Sequence, residues 1–237
     1  MRRARRDSGI SLVELLVVIA ISSVVGTLLA GVVISTLRTS TGTRARIADA
    51  DTVHVAMDVM TRTLRTAIAP AQLGASCTGC DAPFVAYTAA KPLAPCGVTF
   101  WADFGNAATG QVDRPVKVTY VLEPLAGGTT ANLVEYRQQP DGTSGIASSW
   151  TGAITRRVLI NGLTYSASTF GSGTGCATGT PTAPLFTYTT ATGAATTDVS
   201  AVRSVNITLP VRTPNKFDNS TTTAVTKVFL PNTAWGS

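Results

Sequence analysis

The hydrophobic and polar positions divide the chain into segments with different periodicity. Residues 15–37 contain no charged side chain over 23 consecutive positions. At about 1.5 Å per helical residue such a run is roughly 34 Å long, which matches the apolar core of a bilayer. The pattern therefore predicts a membrane-spanning helix near the N-terminus.

A second helix with one apolar face is predicted over residues 38–69. Its apolar residues recur at alternating intervals of three and four, and Pro70 cannot continue a helix. The Thr39–Thr43 stretch is a poor helix former, so a break or flexible joint is expected there. His54, the single histidine, lies beside the stripe and is predicted to be a partly buried structural residue. The stripe consists of Ile47, Ala50, Val53, Met57, Met60, Leu64 and Ala67.

Beyond Pro70 the pattern changes to short runs of β-branched and aromatic residues separated by Gly, Pro, Asn and Asp, which is typical of strands. Alternation of apolar and polar residues over 116–123 predicts a sheet with one buried face. The expected fold class is α+β: a long N-terminal helix packed on a mostly antiparallel β-sheet head, residues 70–237. The predicted strands are 98–104, 116–123, 132–138, 156–160, 185–189, 204–211 and 224–230.

Composition agrees with a folded head, since 44% of residues are hydrophobic and 14% are charged. The formal net charge of +6 comes largely from Arg2, Arg3, Arg5 and Arg6. Removing residues 1–9 takes away these four arginines and one aspartate and leaves 15 basic and 12 acidic residues. The remainder forms no concentrated basic patch, so DNA is only a weakly supported partner. The arginines instead predict a cytoplasmic N-terminus and an exported head.

All four cysteines follow the apolar segment, where an exported domain would carry disulfides. Two disulfides are expected, with the pairing left open. A zinc site is the competing interpretation, but the spacings after the first close pair are long and irregular. A thioredoxin-like redox role is disfavoured because Pro- and Gly-rich sequence surrounds the CxxC motif. The four residues are Cys77, Cys80, Cys96 and Cys176.

Glu14 distinguishes the apolar segment from three simpler interpretations. A core helix would be shorter, and so would a secretory signal, which would also end in small residues and lack an acid near its start. A plain membrane anchor has no use for Glu14, because a carboxylate among apolar side chains costs a few kcal/mol unless it finds a partner. A functional role for Glu14 is therefore expected.

Gly9 followed by ISLVELLVVIAI resembles the leader and cleavage motif of type IV pilins and type II secretion pseudopilins. The resemblance implies a leader peptide at residues 1–9, which prepilin peptidase removes by cleavage between Gly9 and Ile10. It also implies N-methylation of Ile10 and a membrane and polymerisation helix over 10–37. Glu14, the fifth mature residue, would pair during assembly with the Ile10 amine of a neighbouring subunit.

The run DVMTRTLRTA, residues 58–67, is similar to the end of the long helix in J-type pseudopilins and W-type minor pilins. Together the two resemblances imply a minor pilin or pseudopilin, a structural subunit of a filament assembled with other pilins. The precursor would be a single-pass membrane protein. The filament would then lie on the cell surface or in the periplasm and serve DNA uptake (competence), secretion, motility or adhesion.

The head offers few residues for catalysis. The sequence contains one histidine and no HExxH, GxSxG, phosphate-loop or dinucleotide motif, so no enzyme activity, cofactor, metal or small-molecule substrate is expected. The alternative from another class is a membrane-anchored extracytoplasmic binding module or enzyme. A cleft with perturbed ionisable groups in the head would favour that alternative.

Overall fold

The computed structural model describes residues 11–73, 81–86, 97–104, 115–125, 130–141, 149–164, 184–212 and 221–233. The chain forms two compact units, Met1–Ile47 and Ala48–Ser237. Helix α1, Leu12–Arg65, contributes residues to both units. The predicted α+β class is confirmed, because a long apolar helix precedes antiparallel β-sheets.

Helix α1 runs through the stretch where a break was expected. The hydroxyls of the threonines in this stretch donate hydrogen bonds to carbonyls one turn earlier. Thr39 bonds to Ser35 and Thr41 to Leu37, each over 3.0 Å. Because these hydroxyls are satisfied within the helix, they do not draw the backbone into a competing turn. The predicted joint at Thr39–Thr43 is therefore wrong.

The predicted apolar stripe packs against the head from its third residue, Val53, onward. Ile47 and Ala50 remain exposed, whereas the later stripe residues are buried in the core of the Ala48–Ser237 unit. Ala56 and Thr63 are buried beside them. The buried stripe residues are Val53, Met57, Met60, Leu64 and Ala67.

The end of α1 is fixed by backbone pairing with the first strand. After Arg65 the chain turns, and the Ile68 N–H donates to the Trp101 carbonyl over 2.9 Å. The Asp103 N–H donates to the Thr66 carbonyl, also over 2.9 Å. The helix thus ends before Pro70, which instead opens the short 3₁₀ helix Pro70–Leu73.

Seven strands lie in the described residues after α1, and each predicted strand falls largely within one of them. They form a four-stranded sheet of order β1-β2-β3-β4 and a three-stranded sheet of order β5-β6-β7. Every neighbouring pair is antiparallel. The strands are β1 Gly97–Ala102, β2 Val116–Pro124, β3 Thr130–Gln138, β4 Ile154–Thr164, β5 Phe186–Thr189, β6 Ser204–Arg212 and β7 Thr221–Phe229.

The alternation predicted for β2 is present, because Val116, Val118, Tyr120 and Leu122 are buried while the residues between them are partly exposed. These four side chains join residues of α1 and of both sheets in one hydrophobic core. The core therefore fixes the C-terminal part of α1 on the sheet.

Strand β4 continues four residues beyond its predicted end. Asn161 and Gly162 resemble a turn in sequence, but the register with β3 shifts here and leaves extra residues on β4. Gly162 has a φ of 68°, a conformation that favours glycine. Its N–H donates to the Asn132 side-chain oxygen over 3.0 Å, so this backbone donor has a hydrogen-bond partner at the register shift. The dipeptide thus forms a β-bulge within the strand.

Candidate functional site

The apolar part of α1 is exposed along its whole length. Every residue from Ser11 to Thr39 is solvent-exposed, and the aliphatic side chains among them include Leu12, Leu16, Leu28 and Val32. In the described part of the chain, α1 is the one helix long and apolar enough to cross a membrane, through its segment Leu12–Arg44. Exposed apolar surface of this extent requires lipid or another protein to cover it.

Glu14 lies in the first turn of α1, at the start of this exposed surface. The helix begins immediately after Ser11, whose carbonyl accepts the Leu15 N–H over 3.1 Å. A carboxylate in the first turn interacts favourably with the helix dipole, a contribution of about 0.3–1 kcal/mol. That contribution is smaller than the cost of a few kcal/mol for placing a charge among apolar side chains. The favourable interaction with the helix dipole therefore does not offset the cost of placing the Glu14 charge among apolar side chains.

Two glycines within the exposed segment are not required by the fold of the chain itself. A Cβ added at Gly26 or at Gly31 meets no atom within 4 Å, and neither residue has a positive φ. Glycine weakens a helix by about 1 kcal/mol relative to alanine. Small residues at such positions allow a second apolar helix to approach closely.

The other predicted site residues lie outside the described residues. This applies to Gly9 and Ile10 at the predicted cleavage and methylation site. It applies equally to the predicted disulfide residues Cys77, Cys80, Cys96 and Cys176. Cleavage, methylation and disulfide formation thus stay predictions.

A buried polar cluster in the head was not identified from the sequence. The Tyr120 hydroxyl donates to Glu135 Oε1 over 3.0 Å, and Arg137 donates to the same oxygen over 3.0 Å. Glu135 is 1% exposed, whereas the Arg137 side chain is 34% exposed. Burial and then the Glu135 charge raise the pKa of Tyr120 far above its ordinary value, while the Thr63 side chain of α1 opposes this rise. The cluster therefore links β2 to β3 inside the core.

The period-two pattern of β3 contains a signal for this cluster. Leu133 and Glu135 are two residues apart, and alternation would place both on the buried face of the sheet. A carboxylate on that face needs partners, and Tyr120 on the neighbouring strand is directly opposite.

A second carboxylate lies on the opposite, more exposed face of the same sheet. Glu123 accepts hydrogen bonds from Arg156, over 2.5 Å, and from the Tyr136 hydroxyl. The Arg156 bond is the main cause that lowers the pKa of Glu123, and burial acts against it. Hydrogen bonding to Glu123 also raises the pKa of Tyr136 and of Arg156. This cluster is a satisfied ion pair between β2 and β4.

Two tryptophans, Trp101 of β1 and Trp150, pack against each other on the outer face of the four-stranded sheet. The ring centroids of Trp101 and Trp150 are 4.0 Å apart, with 41° between the ring planes. Trp150 Nε1 donates to the Pro115 carbonyl over 2.8 Å, and Lys117 Nζ lies 5.8 Å from the Trp101 centroid. The pair fastens Trp150, which precedes β4, onto the sheet.

These clusters are suited to holding the head together. In each carboxylate cluster, the carboxylate accepts at least one hydrogen bond from a neighbouring strand, so these polar groups have partners within the β-sheet. In the described residues, no group of three or more His, Cys, Asp and Glu side chains could hold a metal ion.

His54 is exposed on α1, so its predicted partial burial is wrong. Asp58 and Arg62 form an exposed pair 2.9 Å apart.

Comparison with known protein families gives a match at the N-terminus of the chain. Residues 4–30 match the family model described as the prokaryotic N-terminal methylation motif. No curated protein and no solved structure matches the chain. The matched residues include Glu14 and the first part of the exposed apolar helix. The chain therefore carries a prepilin-type N-terminal methylation motif, the sequence that type IV pilins and related pseudopilins have in common.

Proposed function

We propose that the chain is the precursor of a minor pilin or pseudopilin, a structural subunit of a type IV pilus-like filament. The observation that carries this proposal is the coincidence of the methylation motif, residues 4–30, with an exposed apolar helix that has a carboxylate in its first turn. A lipid anchor accounts for the exposed apolar surface. A filament accounts for both the surface and Glu14.

The proposed topology follows from charge and processing. The leader, residues 1–9, carries four arginines and stays on the cytoplasmic side until prepilin peptidase cleaves between Gly9 and Ile10. Residues 10–37 then hold the subunit in the membrane, residues 38–69 contain the amphipathic part of α1, which ends at Arg65, and residues 70–237 form the exported head. Ile10 becomes the methylated N-terminus.

Assembly depends on two charges that are costly in an apolar environment. The new amine of Ile10 and the carboxylate of Glu14 neutralise each other when they belong to adjacent subunits in a helix bundle. Gly26 and Gly31, which have open space around them, allow neighbouring helices to approach closely.

The head acts as a rigid, non-enzymatic surface of the filament. Its described carboxylate clusters are engaged in cross-strand bonds, and its core fixes α1 to the sheet. The similarity of residues 58–67 to J-type pseudopilins and W-type minor pilins favours a subunit present in few copies. Two disulfides among the four cysteines stabilise the exported head.

The decisive experiment follows the N-terminus and the location of the subunit together. The full chain is expressed in native cells and in cells that lack prepilin peptidase, and sheared filaments and membranes are analysed by mass spectrometry. We expect a methylated Ile10 N-terminus in both fractions of native cells. In peptidase-deficient cells we expect the intact precursor in membranes alone.

Two outcomes would contradict the proposal. An intact Met1 or a cut near Ala30 in native cells would exclude prepilin processing. Correct processing without any subunit in the filament fraction, when known pilins of the same cells are present there, would leave a processed membrane-anchored protein and exclude the filament role. A Gly9→Leu variant, expected to remain uncleaved, is the matched control for the processing step.

A further inference from the structure

We draw no further inference here: the strongest candidate, the outward face of strand β7, on which Val225 and Phe229 are 67% and 66% exposed on either side of Lys227, carries no proposal because nothing in the described part of the chain shows what covers it.

Discussion

The Tyr120 hydroxyl donates a hydrogen bond of 3.0 Å to the Glu135 carboxylate across the β2–β3 register, inside the core of the head. Because the pKa of Tyr120 is far above neutrality, this hydroxyl keeps its proton and stays a donor at physiological pH. Arg137 supplies the second donor to the same oxygen. The two donors offset the cost of burying the carboxylate.

Tyr120→Phe removes one donor and leaves Glu135 buried with Arg137 as its remaining described side-chain partner. We expect the free energy of unfolding to fall by about 1.5–3 kcal/mol, the range for a hydrogen bond to a charged group. Chemical denaturation of the detergent-solubilised chain measures the change. Tyr136→Phe is the matched control, because it removes the same hydroxyl from the more exposed carboxylate Glu123, and a loss below about 1 kcal/mol is expected. Equal losses in both variants would contradict a special role for the buried cluster.

The Glu123–Arg156 pair predicts a dependence of stability on pH. Since the pKa of Glu123 in the folded chain is below its ordinary value of 4.5, the pair stabilises the fold above that pH. This contribution is lost as the pH falls through the lowered folded pKa. Arg156→Gln should lower the melting temperature only slightly at pH 7, because Arg156 is exposed and exposed ion pairs add little to stability. The difference between variant and wild type should shrink toward pH 3, and a constant difference across the range would argue against this pair as the cause.

Trp150 should contribute to stability through both its ring and its N–H. Trp150→Ala removes the contact with Trp101 and the bond to the Pro115 carbonyl, so a loss of about 1–3 kcal/mol is expected. Trp150→Phe keeps an aromatic ring and should lose about 1 kcal/mol. Thermal unfolding followed by circular dichroism ranks the variants. If Trp150→Phe were as damaging as Trp150→Ala, the hydrogen bond and not ring packing would account for the whole effect.

The regular part of the fold could be predicted because burial imposes a period on the sequence. In β2 the apolar residues alternate with period two, and in α1 the stripe from Val53 to Leu64 follows the helical period. Both patterns arise from packing against one core. The apolar helix and Glu14 could be identified for a related reason, since a long charge-free run with a single carboxylate directly before it is unusual.

The parts that could not be predicted depend on individual hydrogen bonds. Thr39 and Thr41 have low helix propensity, yet α1 continues through them, with their hydroxyls bonded to carbonyls one turn earlier. The predicted strand 156–160 ends before Gly162, whereas β4 continues past this residue, where the Asn132 side chain accepts the Gly162 N–H. Helix and strand propensities describe average residues, whereas each of these positions makes a specific side-chain hydrogen bond that the propensities do not include.

The cysteines should be oxidised in the exported chain. We expect no free thiol among Cys77, Cys80, Cys96 and Cys176 when protein from its native compartment is denatured and treated with a thiol reagent. Each disulfide should add about 2–4 kcal/mol to stability by restricting the unfolded chain. Four reactive thiols or one equivalent of zinc would support the competing metal site. Reduction before denaturation provides the control that all four positions can react.

Glu14 should control assembly without affecting the fold of the head. It belongs to the Met1–Ile47 unit, whereas the core residues of the head belong to the other unit. Glu14→Gln keeps the size and polarity of the side chain but removes the charge. Glu14→Leu removes the cost of the charge without restoring a partner for the amine of Ile10. Both variants should insert, be cleaved and keep a native head.

Incorporation into filaments distinguishes this assembly role from a role in starting the helix. The measurement is the ratio of subunit in sheared filaments to subunit in membranes, compared with wild type in the same cells. Glu14→Gln and Glu14→Leu should both lower this ratio strongly, whereas Glu14→Asp, which retains a carboxylate, should lower it less. Ser11→Ala is the control for the helix start, because it changes the residue before α1 and keeps the charge. Normal incorporation of the Gln and Leu variants would show that the carboxylate has no assembly role and that the segment is an ordinary membrane anchor. A defect in Ser11→Ala as large as that of Glu14→Gln would assign the effect to the helix start.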